Sequence, residues 1–266
     1  MNNNNKTTTD ITNDSNYKKY TSAIDSALRS FENTSEWADL IAALGKLNKV
    51  LNSYSKYTKI PRKVLIGKRL AQCLHPSLPN GVHLKALETY NIIFRCIGPH
   101  ELSLDIFIYS CGLFPLLSYA AINVRPVLLS IYENHFVPLN SSIRPAMTGL
   151  LMGLLPGFEN ASEYFERMQQ LLESFSECVD KSHFYTCMWE CINCNSAVRC
   201  AGLNFIIMHF DKKQSMEDQI YLMGTNICLL IHPGSRPSAN PAVYPSEVGK
   251  WGDDVSCRML AGEMAQ

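Results

Sequence analysis

Apolar residues recur every three or four positions along most of this 266-residue chain, and this spacing constrains the fold more than any other feature. One such segment covers residues 35–54, where the repeat is formed by Leu40, Leu44, Leu47 and Leu51. Another covers residues 160–179, with its stripe at Phe165, Met168, Leu172, Phe175 and Val179. Because a helix buries one stripe whereas a strand buries alternate residues, both segments are predicted to be amphipathic helices. No segment alternates well enough to predict a strand.

Further helices are predicted from the same repeat and from the positions of proline. A proline fits the first turn of a helix, since its missing N–H would be unpaired there, so Pro61 is expected to open a helix that ends near Leu74. A loop is predicted over residues 76–81, and a hairpin at Asn80 and Gly81 is not, because the flanking residues do not alternate. The remaining predicted helices cover residues 101–110, 113–121, 124–136, 143–155, 182–194, 196–210 and 215–231.

These helices are joined by short connections, which favours packing as antiparallel pairs. Pro79, Pro115 and Pro156 each follow a leucine or a phenylalanine at intervals of about forty residues, a period typical of HEAT and armadillo repeats. Helix pairs that cannot bury both of their faces alone must stack on their neighbours. We therefore predict an all-α fold, an α-solenoid of antiparallel helix pairs (HEAT/armadillo-like) over residues 17–231.

The two ends of the chain depart from this pattern. Residues 1–16 are rich in Asn and Thr and contain no apolar stretch, so they are predicted to be a disordered tail that cannot act as a secretory signal. Residues 232–266 are rich in proline, lack a helical repeat and are also predicted to be disordered. No window reaches the roughly 18 uninterrupted apolar residues of a membrane-spanning helix. We therefore expect a cytosolic or cytosol-facing protein whose membrane contact is peripheral.

Charge is distributed unevenly, although 24 Lys and Arg residues balance 24 Asp and Glu residues. No acidic residue occurs between Leu40 and Leu87, whereas cations accumulate there. The candidate residues for contact with an anionic lipid or a partner are Lys46, Lys49, Lys56, Lys59, Arg62, Lys63, Lys68 and Arg69. A Lys or Arg near an anionic membrane gains about 1 kcal/mol, so a few cations facing the same way predict peripheral binding.

Two other interpretations of this basic segment remain open. Lysines that only solvate the outer faces of two helices explain the same residues equally well. The functional alternative is a nucleic-acid-binding helical repeat protein that uses segment 46–69. It is less favoured because single-stranded nucleic acid binds on aromatic platforms, and only Tyr54 and Tyr57 are interleaved with these cations.

A cluster of thiols and one imidazole is the strongest candidate for a zinc site or a nucleophile: His183, Cys187, Cys191, Cys194 and Cys200. Three of these cysteines lie at i, i+4 and i+7 and continue an apolar stripe from Phe184, and a free cysteine behaves as a small buried hydrophobe. A structural zinc site needs a second ligand pair far along the chain, which is missing. A nucleophilic thiol needs cations close by, and few occur near this cluster.

Common enzyme motifs are also missing from the sequence: it has no glycine-rich phosphate loop, no His-Glu-x-x-His and no Gly-x-Ser-x-Gly. We therefore predict no catalytic, cofactor or metal site and no enzymatic activity. A metal-dependent enzyme built on the cysteine cluster is the third alternative.

Seven segments in order carry a more specific signal: SEWADLI (35–41), LGKLNKVL (44–51), GKRLAQCLHP (67–76), GVHLKALETY (81–90), GLFPLL (112–117), GLLPG (153–157) and SMEDQ (215–219). Together they resemble the N-terminal domain of the Dopey family over residues 17–224. The likeness stops near Thr225, which is what we expect of a truncated member of that family.

The resemblance implies a large non-enzymatic cytosolic scaffold in vesicle-mediated transport between the Golgi, the trans-Golgi network and endosomes, peripheral on Golgi and endosomal membranes. The partners that it implies are a large Golgi protein similar to the ARF exchange factors, kinesin light chain, a phospholipid flippase and a phosphoinositide membrane surface. It implies no nucleic acid and no cofactor. It assigns none of these partners to particular residues.

Overall fold

A computed structural model describes residues 14–32, 34, 36–158, 163–210 and 220. Within these residues all regular structure is helical, so the predicted all-α class is confirmed. The α-helices are α1 (Ser15–Arg29), α2 (Trp37–Ser53), α3 (Lys63–Cys73), α4 (Asn80–Leu104), α5 (Ile106–Leu116), α6 (Arg125–Ile131), α7 (Met147–Leu154), α8 (Phe165–Cys178), α9 (Lys181–Cys194) and α10 (Ser196–His209). A π-helix (Tyr132–Phe136) and a 3-10 helix (Val137–Ala146) connect α6 to α7, and a 3-10 turn (Leu155–Gly157) follows α7.

The chain divides into two compact units between Gly112 and Leu113. In the first unit α2 packs against α1 and α4, and α3 also packs against α4. In the second unit α9 packs against α7, α8 and α10, while α8 packs against the 3-10 helix. Each unit therefore has a helical core of its own.

Helix α2 shows how the apolar repeat builds the first core. All four of its predicted core leucines are buried: Leu40, Leu44, Leu47 and Leu51. Burial of one leucine side chain contributes about 1.5–3 kcal/mol, so this stripe fixes which side of α2 faces inward. At the start of the helix the carboxylate of Asp39 accepts a hydrogen bond from the backbone N–H of Glu36 at 3.1 Å. The opposite side of α2 is left exposed to solvent.

The predicted helices over residues 182–194 and 196–210 correspond to α9 and α10. The predicted stripe lies in α8 from Phe165 to Phe175, but its last residue, Val179, follows the helix in extended conformation. The first helix was not predicted. Helix α1 begins at Ser15 with Asp14 as its N-cap, so the predicted boundary of the N-terminal tail at residue 16 is too late. Pro61 does not open a helix either, because Arg62, at φ 57°, separates it from α3.

The helix boundaries predicted around residues 101–121 are wrong. Helix α4 continues through a kink at Gly98 (φ 72°) to Leu104, and the break falls at Asp105. Gly112, expected between two helices, lies inside α5. A Cβ atom at Gly112 would be 2.8 Å from the Cα of Ala71, so this glycine permits close packing and does not end a helix. Similarly, residues 143–146, which were predicted to start an α-helix, belong to the 3-10 helix Val137–Ala146.

The predicted tail over residues 232–266 lies outside the described residues, and so do residues 1–13 of the predicted N-terminal tail. Of the helix predicted over residues 215–231, only Ile220 is described, and it is helical.

Candidate functional site

The predicted basic segment occupies α2, α3 and the loop between them. Lys46 and Lys49 lie on the exposed side of α2, one helical turn apart, which makes them neighbours on its surface. The side chain of Lys85 comes from α4 to the same part of α2, with its Cε 3.9 Å from the position of a Cβ on Gly45. Lys85 pairs with Glu88 at 2.7 Å. Although residues 40–87 contain no acidic residue, the carboxylate of Glu88 therefore lies close to this part of α2 in the folded chain.

The loop after α2 is held by a cluster of tyrosines. The ring of Tyr20 stacks on Tyr54 and Tyr57, with centroids 4.7 Å and 5.8 Å away. Lys56 lies beside this cluster, with its Nζ 5.0 Å from the ring centroid of Tyr57. Tyr54 and Tyr57 are the only aromatic residues interleaved with these cations in the sequence, and their rings pack on Tyr20 instead of forming an open platform for bases.

A hydrogen bond ties the same loop to the start of α1. The hydroxyl of Tyr57 donates to the carboxylate of Asp14 at 2.7 Å. This bond raises the pKa of Tyr57 to about 12, because ionisation of the phenol would place a negative charge beside the carboxylate. The same bond lowers the pKa of Asp14. The pair therefore fixes the position of the loop that carries Lys56 and Lys59.

Two of the eight predicted contact residues are already neutralised within the first unit. Arg62 binds Asp25 through its Nε at 2.9 Å and its second guanidinium nitrogen at 3.3 Å. This hydrogen bond raises the pKa of Arg62 and lowers that of Asp25. Lys63 binds Asp105, whose side chain is only 10% exposed, at 2.6 Å. Both acids lie outside the acid-free stretch, so the tertiary structure is needed to reveal these pairs.

The other six predicted residues form no ion pair with any residue that the structure describes. Arg69 donates a hydrogen bond to the amide oxygen of Gln72 at 3.2 Å. The remaining five, here called the free lysines, are Lys46, Lys49, Lys56, Lys59 and Lys68. All of them are exposed except Lys59, which is half-buried. The free lysines are the part of the predicted site that keeps its charge available for a partner.

The cysteine cluster, which lies in α9 and α10 of the second unit, does not have the features of a zinc site or of a reactive thiol. Cys187 and Cys191 are buried in the core, as the helical stripe predicted, but Cys194 is exposed and does not follow that prediction. The Sγ of Cys187 lies 3.5 Å from His183 Nε2, which also lies 3.1 Å from the carbonyl oxygen of Arg144. Burial raises the pKa of Cys187 and of Cys191, which disfavours the thiolate form that metals and electrophiles require.

Across the described part of the chain, no three His, Cys, Asp or Glu side chains are grouped closely enough to hold a metal ion. None of the described helices combines the length and the apolar character that crossing a membrane requires.

A model of the N-terminal region of Dopey proteins matches residues 14–242 of this chain. The chain belongs to the Dopey family. The DOP1 homolog of Drosophila melanogaster is 54% identical to this Dopey chain over 210 residues, which are 79% of the chain and 8% of that protein. DOP1B of Mus musculus is 49% identical over 222 residues, which are 84% of the chain and 10% of that protein.

A more distant Dopey relative, DOP1 of Saccharomyces cerevisiae, is 35% identical over 205 residues, which are 74% of the chain and 12% of that protein. The chain thus spans about a tenth of the length of the curated relatives that it matches. No solved structure is significantly similar to this Dopey chain. The family match confirms the resemblance seen in the sequence, but the prediction that the likeness stops near Thr225 is wrong, because the match continues to residue 242.

Proposed function

We propose that this Dopey chain acts as a non-enzymatic scaffold in membrane traffic between the Golgi and endosomes. Its helices stack as an α-solenoid and present an extended surface from the cytosolic side. The proposed protein partners are a large Golgi protein similar to the ARF exchange factors, kinesin light chain and a phospholipid flippase. The free lysines supply the contact with an anionic, phosphoinositide-containing membrane surface. Membership of the Dopey family and the all-helical fold support this proposal.

The observation that carries the lipid contact is that the free lysines keep their charge within the first unit. Arg62 and Lys63 contribute less, because each already binds a carboxylate. A lysine close to an anionic membrane gains about 1 kcal/mol, so two lysines change the binding constant by roughly 30-fold. Lys46 and Lys49 are the best pair to test, since they share one exposed side of α2.

The experiment is co-sedimentation of the purified chain with phosphatidylcholine vesicles that contain phosphatidylserine or a phosphoinositide. Reversal of Lys46 and Lys49 to Glu should weaken binding at least tenfold, in line with the loss of two cation contacts. The matched control reverses Lys18 and Lys19 to Glu, which makes the same charge change on the exposed part of α1. The lipid contact is wrong if both double variants bind vesicles as the unchanged chain does.

Protein binding is tested separately with a full-length Dopey protein. Deletion of the part that corresponds to residues 14–210 should remove capture of the Golgi partner, while reversal of Lys46 and Lys49 should leave it. Undiminished capture after the deletion would show that the partner binds elsewhere in the protein.

A further inference from the structure

The loop between α2 and α3, residues 54–62, carries exposed aliphatic hydroxyl groups at Ser55 and Thr58. Lys56 and Lys59, two of the free lysines, lie in the same loop. Neither hydroxyl forms a hydrogen bond with a residue that the structure describes. Protein kinases select their acceptor hydroxyls partly by the charges around them. The loop therefore contains two candidate sites for a kinase that recognises cations.

The backbone distinguishes Thr58 from Ser55. The N–H of Tyr57 donates to the carbonyl oxygen of Tyr54 at 3.0 Å, which encloses Ser55 in a turn. From Thr58 to Ile60, no backbone N–H donates to a residue that the structure describes. A kinase must align the acceptor hydroxyl with the transferred phosphate, and a segment that no turn holds is the easiest to align. Thr58 is therefore the better acceptor.

Both flanks of Thr58 are anchored to the first unit. On one side, the hydroxyl of Tyr57 donates to the carboxylate of Asp14 at 2.7 Å. On the other side, the side chain of Ile60 is buried. These anchors keep the segment close to the two free lysines of the loop, so a phosphate on Thr58 would remain beside them.

The charges of the loop and of the carboxylates bound to it leave a small positive excess. Lys56, Lys59 and Arg62 contribute three positive charges. Asp14 and Asp25 contribute two negative charges, because one accepts the hydrogen bond of the loop tyrosine and the other binds Arg62. The unmodified loop therefore keeps an excess of one positive charge, which is available to an anionic membrane.

A phosphate on Thr58 would reverse the sign of this excess, since it carries a charge of about −1.5 to −2 at pH 7. Lys59 is adjacent to Thr58 and Lys56 is two residues away, so both backbone positions lie within about 8 Å, the screening length of physiological salt. A loop of reversed charge is repelled by an anionic membrane. Because two lysines account for roughly 30-fold in the binding constant, the phosphate should weaken membrane binding by a similar factor.

We propose that a protein kinase that recognises cations phosphorylates Thr58, and that this phosphate releases the chain from an anionic membrane. The hydroxyl oxygen of Thr58 attacks the γ-phosphorus of ATP, the bond from that phosphorus to the bridging oxygen breaks, and ADP leaves. The hydroxyl proton passes to the catalytic carboxylate of the kinase. The inference rests on the proposed lipid contact of the free lysines and adds its regulation.

The first experiment maps the modification. The 266-residue chain is expressed in cultured animal cells whose protein phosphatases are inhibited, and its phosphorylated residues are identified by mass spectrometry. Phosphate should be found on Thr58 of the unchanged chain and should be lost from this loop in Thr58→Ala. The assignment is overturned if the loop carries no phosphate, or if the phosphate is on Ser55.

The second experiment measures what the phosphate does, independently of any kinase. Phosphothreonine is incorporated at Thr58 during translation, and binding to phosphatidylcholine vesicles that contain phosphatidylserine is measured by co-sedimentation. The modified chain should bind roughly 30-fold more weakly than the unmodified chain. Thr58→Ala should bind as the unmodified chain does, because the hydroxyl of Thr58 has no partner among the described residues.

The matched control carries phosphoserine at Ser77, an exposed residue of the loop between α3 and α4. It adds the same charge, but no Lys or Arg occurs within five residues of Ser77 in the sequence. Its binding to the same vesicles should therefore change much less than that of the chain with phosphate on Thr58. Circular dichroism should show equal helicity for all of these chains.

Two results would overturn the proposed release. One is that the chain with phosphate on Thr58 binds vesicles as tightly as the unmodified chain, and the other is that phosphate on Ser77 weakens binding to the same extent. Failure of the lipid contact itself has a different signature, since reversal of Lys46 and Lys49 to Glu would then leave vesicle binding unchanged. In that case the proposed release is wrong as well, while the mapping experiment still decides whether Thr58 is modified.

Discussion

The close contact between α3 and α5 gives the sharpest prediction for stability, because the same substitution should have opposite effects at two glycines. Replacement of glycine by alanine inside a helix normally stabilises it by about 0.5–1 kcal/mol. At Gly45 the new Cβ would meet only Lys85 Cε at 3.9 Å, an ordinary contact with a flexible side chain. Gly45→Ala should therefore stabilise the chain by up to about 1 kcal/mol.

At Gly112 the new Cβ would lie 2.8 Å from both the Cα of Ala71 and the hydroxyl oxygen of Tyr90. Carbon atoms in contact prefer about 3.5–4.0 Å, so α3 would have to move by almost 1 Å. The Cα of Ala71 belongs to the backbone and cannot rotate away. Overpacking of this kind costs about 1–3 kcal/mol, which exceeds the gain in helix propensity. We expect Gly112→Ala to be destabilised by about 1–2 kcal/mol in total.

The measurement is urea unfolding of both variants, followed by circular dichroism. The two midpoints should lie on opposite sides of the midpoint of the unchanged chain, with a difference of about 1.5–3 kcal/mol in the free energy of unfolding. The reasoning fails if Gly112→Ala is as stable as Gly45→Ala.

Two further predictions concern groups that hold the first unit together. Lys63→Met keeps the aliphatic stem but leaves the buried carboxylate of Asp105 without its cation, so the free energy of unfolding should fall by about 1–2 kcal/mol. Adding Asp105→Asn to this variant should restore most of the lost stability. A double variant as unstable as Lys63→Met would refute the role of the pair. Tyr57 has a pKa raised to about 12 by its bond to Asp14, so the stability from this bond is fully present below the ordinary phenol pKa of 10 and is lost as the pH rises to about 12. In urea unfolding at increasing pH, the difference between the unchanged chain and Tyr57→Phe should shrink over that interval, whereas a constant difference would contradict the assignment.

The sequence correctly predicts the helices that bury a regular stripe of apolar residues. Helices α2, α8, α9 and α10 follow the predicted segments closely because burial of leucine, phenylalanine and methionine dominates their energy. The boundaries around Asp105 and Gly112 could not be predicted in this way. A glycine is usually a sign of a helix end, and only the position of Ala71 on α3 shows that Gly112 serves close packing.

The basic segment illustrates the same difference for the candidate site. Its cations and the lack of acid between Leu40 and Leu87 are visible in the sequence. Asp25 and Asp105, which neutralise two of the cations, lie 37 and 42 residues away from Arg62 and Lys63 along the chain.

By itself the amino-acid sequence determined the helical class, the inward face of the regular helices, the family and the site of excess positive charge. These properties depend on side-chain chemistry and on spacing within a few turns, which are local to the chain. The tertiary structure decided which cations remain unpaired, which glycine is a contact and which apolar residues stay exposed. Those properties depend on distances between segments far apart in sequence, and no local pattern specifies such distances.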